Sequence, residues 1–336
     1  MQTSIFRGPR DIEVVDAPDP RPGAGEVVVR VRAAGVCGGD LHEYRADRQL
    51  YATPYPRPAQ GHEVAGEVMS VGAGVTSVQP GARVAIQPMI SCDECPHCTA
   101  GNWSLCERLE HIGVARPGGF AEQCVAPAEN VFVLPDGVSF EEGALLDCTA
   151  VAVHALDRVG VPGGAGVVVL GAGAIGLAIA QVARAAGAGH VTVVGTRSGP
   201  LEVARALGAD ATVDLGAGDA SPTGAEIVFE TAGGSDLLGR ALAAVAPGGT
   251  VGLVGESFDA QPLDLASAME QELTIAFVWS HDGRSDYERA VELAASGVVA
   301  LAPCVTHRFG LDRIVDAFDA ASDRGRSGAI KVVVIP

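Results

Sequence analysis

The chain has 336 residues, 48% of them hydrophobic, and 23 Lys plus Arg stand against 41 Asp plus Glu for a formal charge of -18. That length exceeds the size at which one core stops growing, so two domains are expected of a folded soluble chain. The acidic balance and the lack of a basic run argue against nucleic-acid partners, and the opening MQTSIFRGPRDIEVV has no apolar run of the kind a secretory signal needs.

In chain order, EVVVRVRAA at 26–34 alternates apolar and charged side chains as a half-buried strand does, and VAGEVMSVG (64–72) and GARVAIQP (81–88) continue the pattern. Gly72, Gly74, Pro80 and Gly81 punctuate them, which predicts an irregular β-rich unit with inserted loops. Within it, GVCGGDLHEY (35–44) places Cys37 five residues before His42, with Gly39 and Asp40 between them. CDECPHCTAGNWSLC then supplies Cys92, Cys95, Cys98 and Cys106 in C-x2-C-x2-C-x7-C spacing. Such spacing lets one loop wrap a single ion, and four thiolates suit a closed, structural zinc site; an iron–sulfur cluster is the competing metal reading. His97 reads as a neighbour of that shell. With Cys124, Cys148 and Cys304 scattered elsewhere, the eight cysteines favour a metal site in a reducing cytoplasm over a disulfide framework.

Near residue 150 the pattern changes. A helix over AVHALDRVG is followed by GVVVLGAGAIG, a helix through Ala188, then HVTVVG, LEVARALG, DATVD, EIVFETAG, LLGRALAAV and TVGLVGE. Strands and helices alternating on this scale need crossover connections and predict a parallel sheet covered on both faces. The glycine- and alanine-rich run at 165–189 holds Gln181 and Arg184, and reads as a buried strand and helix, not a membrane span. Gly171, Gly173 and Gly176, with Ala174 and Ile175 between them, have GxGxxG spacing where a strand passes into a helix. Gly171 permits the tight turn, Gly173 lets a pyrophosphate approach, Gly176 allows close helix packing, and the helix N-terminus supplies N–H donors. At the end of the next strand Gly195, Thr196, Arg197 and Ser198 stand where an NAD site would place an acidic residue, which favours NADP(H) through room and donors for a 2′-phosphate. DYERAVELAASG from about 286 reads as a helix and AIKVVVIP as a closing strand. The expected segments are 1–150, 151–285 and 286–336, the last returning to the first.

QGHEVAGEV sets His62 beside Glu63, and LLDCTAVAVHAL sets Asp147 beside Cys148. Cys37, His62, Glu63 and Asp147 make a mixed sulfur, nitrogen and oxygen set suited to a catalytic zinc with a position left for an alcohol or carbonyl oxygen. Together GHEVAGEV, the four-cysteine lobe and the late GAGAIG resemble the zinc-containing medium-chain dehydrogenase/reductase superfamily, the alcohol, polyol and threonine dehydrogenases, over nearly the whole chain. The resemblance implies an α/β fold in which a GroES-like β-rich catalytic domain is interrupted by a Rossmann doubly wound parallel sheet. It implies zinc at the cleft and a homodimer or homotetramer; with the four-cysteine lobe the expectation is one catalytic and one structural zinc, a small-molecule substrate, and no membrane or nucleic-acid partner. Cys37 and His62 match the family's catalytic zinc ligands, and Glu63 its carboxylate that ligates directly or exchanges with water. Asp147 falls where relatives place Cys, Glu or Asp, with Cys148 its rival, and together with the Gly-Thr-Arg segment it is similar to the NADP-dependent secondary-alcohol dehydrogenases.

Many relatives carry Ser or Thr where this chain has Gly39, and pass a proton from that hydroxyl towards a histidine at the position of His42. Glycine cannot relay a proton. Either Asp40, His42, water or a substrate hydroxyl completes the route, or the reaction needs no relay. The favoured expectation is a zinc-dependent oxidoreductase moving a hydride between NADP(H) and an alcohol, ketone or polyol. The alternatives are a reductase of an iminium or conjugated double bond, a quinone reductase-like enzyme without catalytic zinc, and a non-catalytic zinc- and nucleotide-binding relative. Tyr44, Arg45, Arg48, Trp103, His111, Trp279 and His281 are candidates to line a substrate pocket.

Overall fold

The computed structural model describes residues 1–46 and 54–336; Arg48, a candidate lining residue, lies outside them. The chain forms two compact units, one of Met1–Asp147, Asp282–Ala295 and Val305–Pro336, the other of Cys148–His281 and Ser296–Cys304. The interleaving is finer than three consecutive segments. After the helix Arg284–Ala295 the chain rejoins the second unit, where Val299, Leu301 and Cys304 are buried and the Ala300 N–H donates to Gln181 Oε1 at 2.9 Å.

At the centre of the first unit is the strand Glu26–Gly35, which pairs antiparallel with Glu63–Val71, Gln123–Pro127 and Lys331–Ile335. The sheet extends through Arg83–Ile86 and Val131–Val133 on one side and through Val305–Gly310 on the other. Val27, Val29 and Val31 of the central strand join a core with Phe6, Phe120 and Phe318, as the alternating pattern requires. Val333 lies opposite Gly35 and Val334 opposite Ala34, so the closing strand returns to the amino-terminal sheet. The opening residues form a second antiparallel pair, Gln2–Gly8 with Asp11–Asp16.

In the second unit six parallel strands lie in the spatial order Ala211–Asp214, His190–Gly195, Gly166–Leu170, Ala225–Glu230, Val245–Leu253, Thr274–Phe277. Their order reverses beside Gly166–Leu170, which makes the carboxyl ends of that strand and its neighbours the natural ligand crevice. The helix Ala174–Ala185 buries Leu177, Ile179 and Val182, and its Gln181 side chain donates to the Leu177 carbonyl at 3.1 Å. No helix among the described residues is long and apolar enough to cross a membrane.

Phe318, fully buried on the helix Ile314–Ser322, stacks edge-on against Phe6 and Phe120 and tilts against Tyr44. It joins the carboxyl-terminal segment to the amino-terminal core. In denaturant titrations Phe318→Ala should cost about 3–5 kcal/mol, whereas Val315→Ala on the exposed face of the same helix should cost about 0.5 kcal/mol or less.

Candidate metal centres and nucleotide site

The helix Gly38–Arg45 begins directly after Cys37, whose backbone N–H donates to Asp40 Oδ2 at 3.0 Å. Asp40 is 1% exposed and serves as the third residue of the first turn, closing the helix end; Gly39 is the residue before it. Register brings the other donors in. Gly35 pairs with Glu63 at the end of the antiparallel register, so Cys37, just after Gly35, and His62, just before Glu63, leave the same end of the strand pair. A Cβ on Gly35 would fall 1.9 Å from Glu63 Oε2, so glycine there makes room for the carboxylate. One donor atom each from Cys37, His62 and Glu63 lie within 4.8 Å of one another. Asp147 is not part of that compact set; it is buried and its charge acts on His62.

Burial opposes a charge on His62, yet the Cys37 sulfur, Asp40 and Asp147 together raise its pKa well above the ordinary imidazole range. A surrounding that favours a proton on His62 also favours a divalent cation, and sulfur, imidazole and carboxylate are donors that zinc accepts. Asp40 Oδ1 stands 4.0 Å from His62 Nδ1, and burial pushes its carboxyl pKa up against the pull of His62 and the Cys37 amide. Glu63 is held from the far end of the chain. Lys331 Nζ pairs with Glu63 Oε1 at 2.5 Å and also donates to the Val36 carbonyl at 3.3 Å, in a place where both side chains are buried. His111 packs edge-to-face on His62, with ring centroids 5.1 Å apart, and its Nδ1 lies 2.9 Å from the Ile112 carbonyl. A carbonyl only accepts, so the His111 proton is on Nδ1.

Cys92, Cys95, Cys98 and Cys106 form the second compact donor set, and three of them are buried. The N–H groups of Cys92 and Arg108 donate to Cys106 Sγ at 3.3 and 3.4 Å. Cys92 is drawn down to about 6 by the Glu94 amide and Arg108, while burial and the neighbouring thiols push Cys98 up to about 12. Four sulfurs this close do not ionise together unless a cation joins them. His97 is exposed. Trp103 packs over Gly283, and the Ser104 N–H donates to Asp282 Oδ1 at 2.8 Å, tying the lobe to the segment before Arg284–Ala295.

At the glycine turn each position has its own reason. Gly171 has φ +118°, and a Cβ there would lie 2.5 Å from Thr231 Oγ1; a Cβ on Gly176 would lie 2.0 Å from the Gly171 carbonyl oxygen. Gly173 faces open space and precedes the helix Ala174–Ala185, whose first turn holds Ala174 and Ile175. Thr231 donates to the carbonyls of Leu170 and Gly171 at 3.0 and 3.2 Å, a brace the spacing alone does not disclose. Gly195 ends its strand, with Leu201 Cδ2 at 3.1 Å from where a Cβ would be. Thr196 follows, then Arg197 immediately before the helix Ser198–Ala206; burial lowers the Arg197 pKa.

Two of the lining candidates serve the first unit's core instead. Tyr44 is buried against Phe318 and donates to Asp319 Oδ1 at 2.9 Å, and Arg45 donates to the Ser322 carbonyl at 2.8 Å. Trp279 is exposed and His281 buried.

Two family descriptions match the chain, "Alcohol dehydrogenase GroES-like domain" over residues 23–136 and "Zinc-binding dehydrogenase" over residues 174–296. Sorbitol dehydrogenase of Bacillus subtilis (strain 168) is 30% identical over 349 residues, covering 100% of this chain and 97% of that protein. The crystal structure of a zinc-binding dehydrogenase from Sinorhizobium meliloti 1021 bound to NADP superposes with a TM-score of 0.90 at 32% identity, covering 100% of this chain and 99% of that one. An alcohol dehydrogenase from Escherichia coli CFT073 complexed with NADH gives 0.89 at 27% identity, with 100% and 99% covered.

Cys98→Ser should remove one zinc equivalent by elemental analysis and lower thermal stability much more than Cys304→Ser, because a structural ion contributes its binding free energy to folding. Equal melting temperatures for the two variants would contradict a structural ion at this cluster.

Proposed function

The chain belongs to the zinc-containing medium-chain dehydrogenase/reductase superfamily, a GroES-like domain joined to a Rossmann-like parallel sheet, and from that premise we propose that it is an NADP(H)-dependent oxidoreductase of an alcohol, ketone or polyol. The observation that carries the proposal is the convergence of half-buried Cys37 with buried His62 and Glu63 within 4.8 Å in negatively charged surroundings. With both groups bound, zinc would polarise the substrate oxygen and NADP(H) would give or take a hydride at the substrate carbon.

In this reading Cys37 and His62 hold the catalytic ion. Glu63, restrained by Lys331, is its carboxylate ligand or exchanges with water, and Asp147 or Cys148 completes the shell. Asp40 acts as a positioning residue, since its carboxylate holds the Cys37 amide and stands behind His62. His42, on the same helix, takes or delivers the substrate proton through water, because Gly39 offers no hydroxyl. Gly171, Gly173, Ala174, Ile175 and Gly176 receive the pyrophosphate, and Gly195, Thr196, Arg197 and Ser198 the 2′-phosphate. Relatives this similar have been crystallised with NADP and with NADH, so the choice rests on the 195–198 segment. The polyol reading draws support from the sorbitol dehydrogenase likeness. Exposed apolar side chains, Leu265 and Met269 on the helix Leu265–Glu270 and Phe277 and Trp279 at the end of the edge strand Thr274–Phe277, support a homodimer or homotetramer. All eight cysteines are free, which suits a reducing cytoplasm. The absent hydroxyl at Gly39 is the one observation favouring a second reading, reduction of an iminium or conjugated double bond.

Arg197→Ala should weaken NADPH binding about ten- to a hundredfold and leave NADH binding nearly unchanged, as loss of one charge-assisted phosphate contact requires. His62→Ala should abolish turnover and retain NADPH affinity. With NADPH deuterated at C4, the label should appear on the carbinol carbon of ketone or polyol-derived substrates; label found only on iminium or alkene carbons would replace the favoured reading with the second.

A further inference from the structure

Where the strand order reverses, the glycine turn and the Gly195–Ser198 segment account for the pyrophosphate and adenosine half of a dinucleotide. The nicotinamide half then falls on the other side of the reversal, at the carboxyl ends of Ala225–Glu230 and Val245–Leu253. A carboxylate that the reaction does not use is buried there. Glu230, the last residue of its strand, is 0% exposed. Its Oε1 accepts the Ala232 N–H at 3.2 Å and its Oε2 the Gly233 N–H at 3.1 Å. Its carbonyl accepts the N–H groups of Val254 and Gly255 at 2.9 and 2.8 Å. Arg240 Nη2 stands 3.6 Å from Oε1 and donates to the Gly233 carbonyl at 3.0 Å. A Cβ on Gly255 would lie 2.4 Å from Glu230 Oε2 and 2.5 Å from the Gly233 nitrogen, so the two loops meet on this carboxylate with no spare room.

Burying a carboxylate is costly unless donors surround it, and an apolar side chain would fill the same space while leaving the Ala232 and Gly233 amides without that acceptor. Burial raises the Glu230 pKa against the pull of those amides and Arg240. What the carboxylate obtains that an apolar residue does not is a fixed backbone path for the first residues of both loops. We infer that Glu230 is a positioning residue for the nicotinamide half of the cofactor, holding the loop after Ala225–Glu230 and the loop after Val245–Leu253 in the conformation against which that half is seated. The inference rests on the nicotinamide-cofactor reading above.

The test compares two ligands by equilibrium binding, NADPH followed through its nicotinamide fluorescence and 2′-phospho-ADP-ribose, which lacks the nicotinamide, followed by calorimetry. Glu230→Ala should raise the NADPH Kd about tenfold and change the fragment Kd by less than about twofold, since only the loops facing the nicotinamide lose their anchor. Glu230→Gln, which keeps the shape and one acceptor, should recover most of the loss. Arg240→Ala, with a side chain 42% exposed, should show a smaller loss with the same preference for NADPH over the fragment. Equal weakening of both ligands in the Ala variants, or no change in either, would overturn the inference and leave Glu230 a structural residue. A wild-type protein that binds neither NADPH nor NADH overturns the cofactor reading itself and is recognised before any variant is made. A preference for NADH contradicts only the 2′-phosphate assignment, and the same comparison is then made with NADH and ADP-ribose.

Discussion

Buried negative charge needs a cation, and the arrangement of the first unit follows from that constraint. Cys37, Asp40 and Glu63 are gathered around His62 by the register between Glu26–Gly35 and Glu63–Val71 and by the helix that starts at Gly38, and Asp147 acts on it from the helix Leu146–Val159. Apart from half-buried Cys37, these groups lie where water screens little. Part of the charge is met by Lys331, which neutralises Glu63 from a strand paired to the same central element. The remainder is met either by a proton on His62 or by a metal ion, and sulfur beside imidazole and carboxylate makes the ion the stronger competitor near neutral pH. The four-cysteine lobe poses the same problem in simpler form, because its thiols pull one another's ionisation apart until a cation unites them.

The second unit meets its own constraint with backbone geometry. Its glycine turn has one residue forced into the left-handed region, one left open and one pressed against a carbonyl, which is the distribution a pyrophosphate-binding turn requires. Thr231 and Glu230 then brace the neighbouring strand end, the first against the turn and the second against the loops beyond. Polar side chains at strand ends thus do for the loops what backbone ladders do for the strands.

Features encoded within a short window were legible in the sequence. The C-x2-C-x2-C-x7-C spacing, the GxGxxG turn and the alternation of strands and helices after residue 150 each depend on neighbours, and each has its counterpart in the structure. Lys331 was not legible, because its partner lies 268 residues away and a lysine at the start of a strand reads as a solvent-facing end. Asp40 read as a stand-in for a proton relay since it lies between Cys37 and His42; in the folded chain its carboxylate closes the helix end. Glu230 is not legible because an acidic residue ending a strand is ordinarily exposed, whereas this one is 0% exposed. The return of Ser296–Cys304 to the second unit is made by non-local contacts, among them Ala300 with Gln181 and the burial of Val299, Leu301 and Cys304, which leave no local pattern. Gly39 was the reverse case, conspicuous in sequence through what it lacks.

The proposed chemistry turns on Cys37, His62 and Glu63 being a metal centre distinct from the cysteine lobe. Anomalous diffraction from crystals of the zinc-loaded protein, recorded on either side of the zinc absorption edge, tests it most directly. Two difference peaks per chain are expected, one enclosed by Cys92, Cys95, Cys98 and Cys106 and the other in bonding contact with Cys37 and His62. A single peak at the cysteine lobe, with Cys37 and His62 ordered and no anomalous density between them, would contradict it.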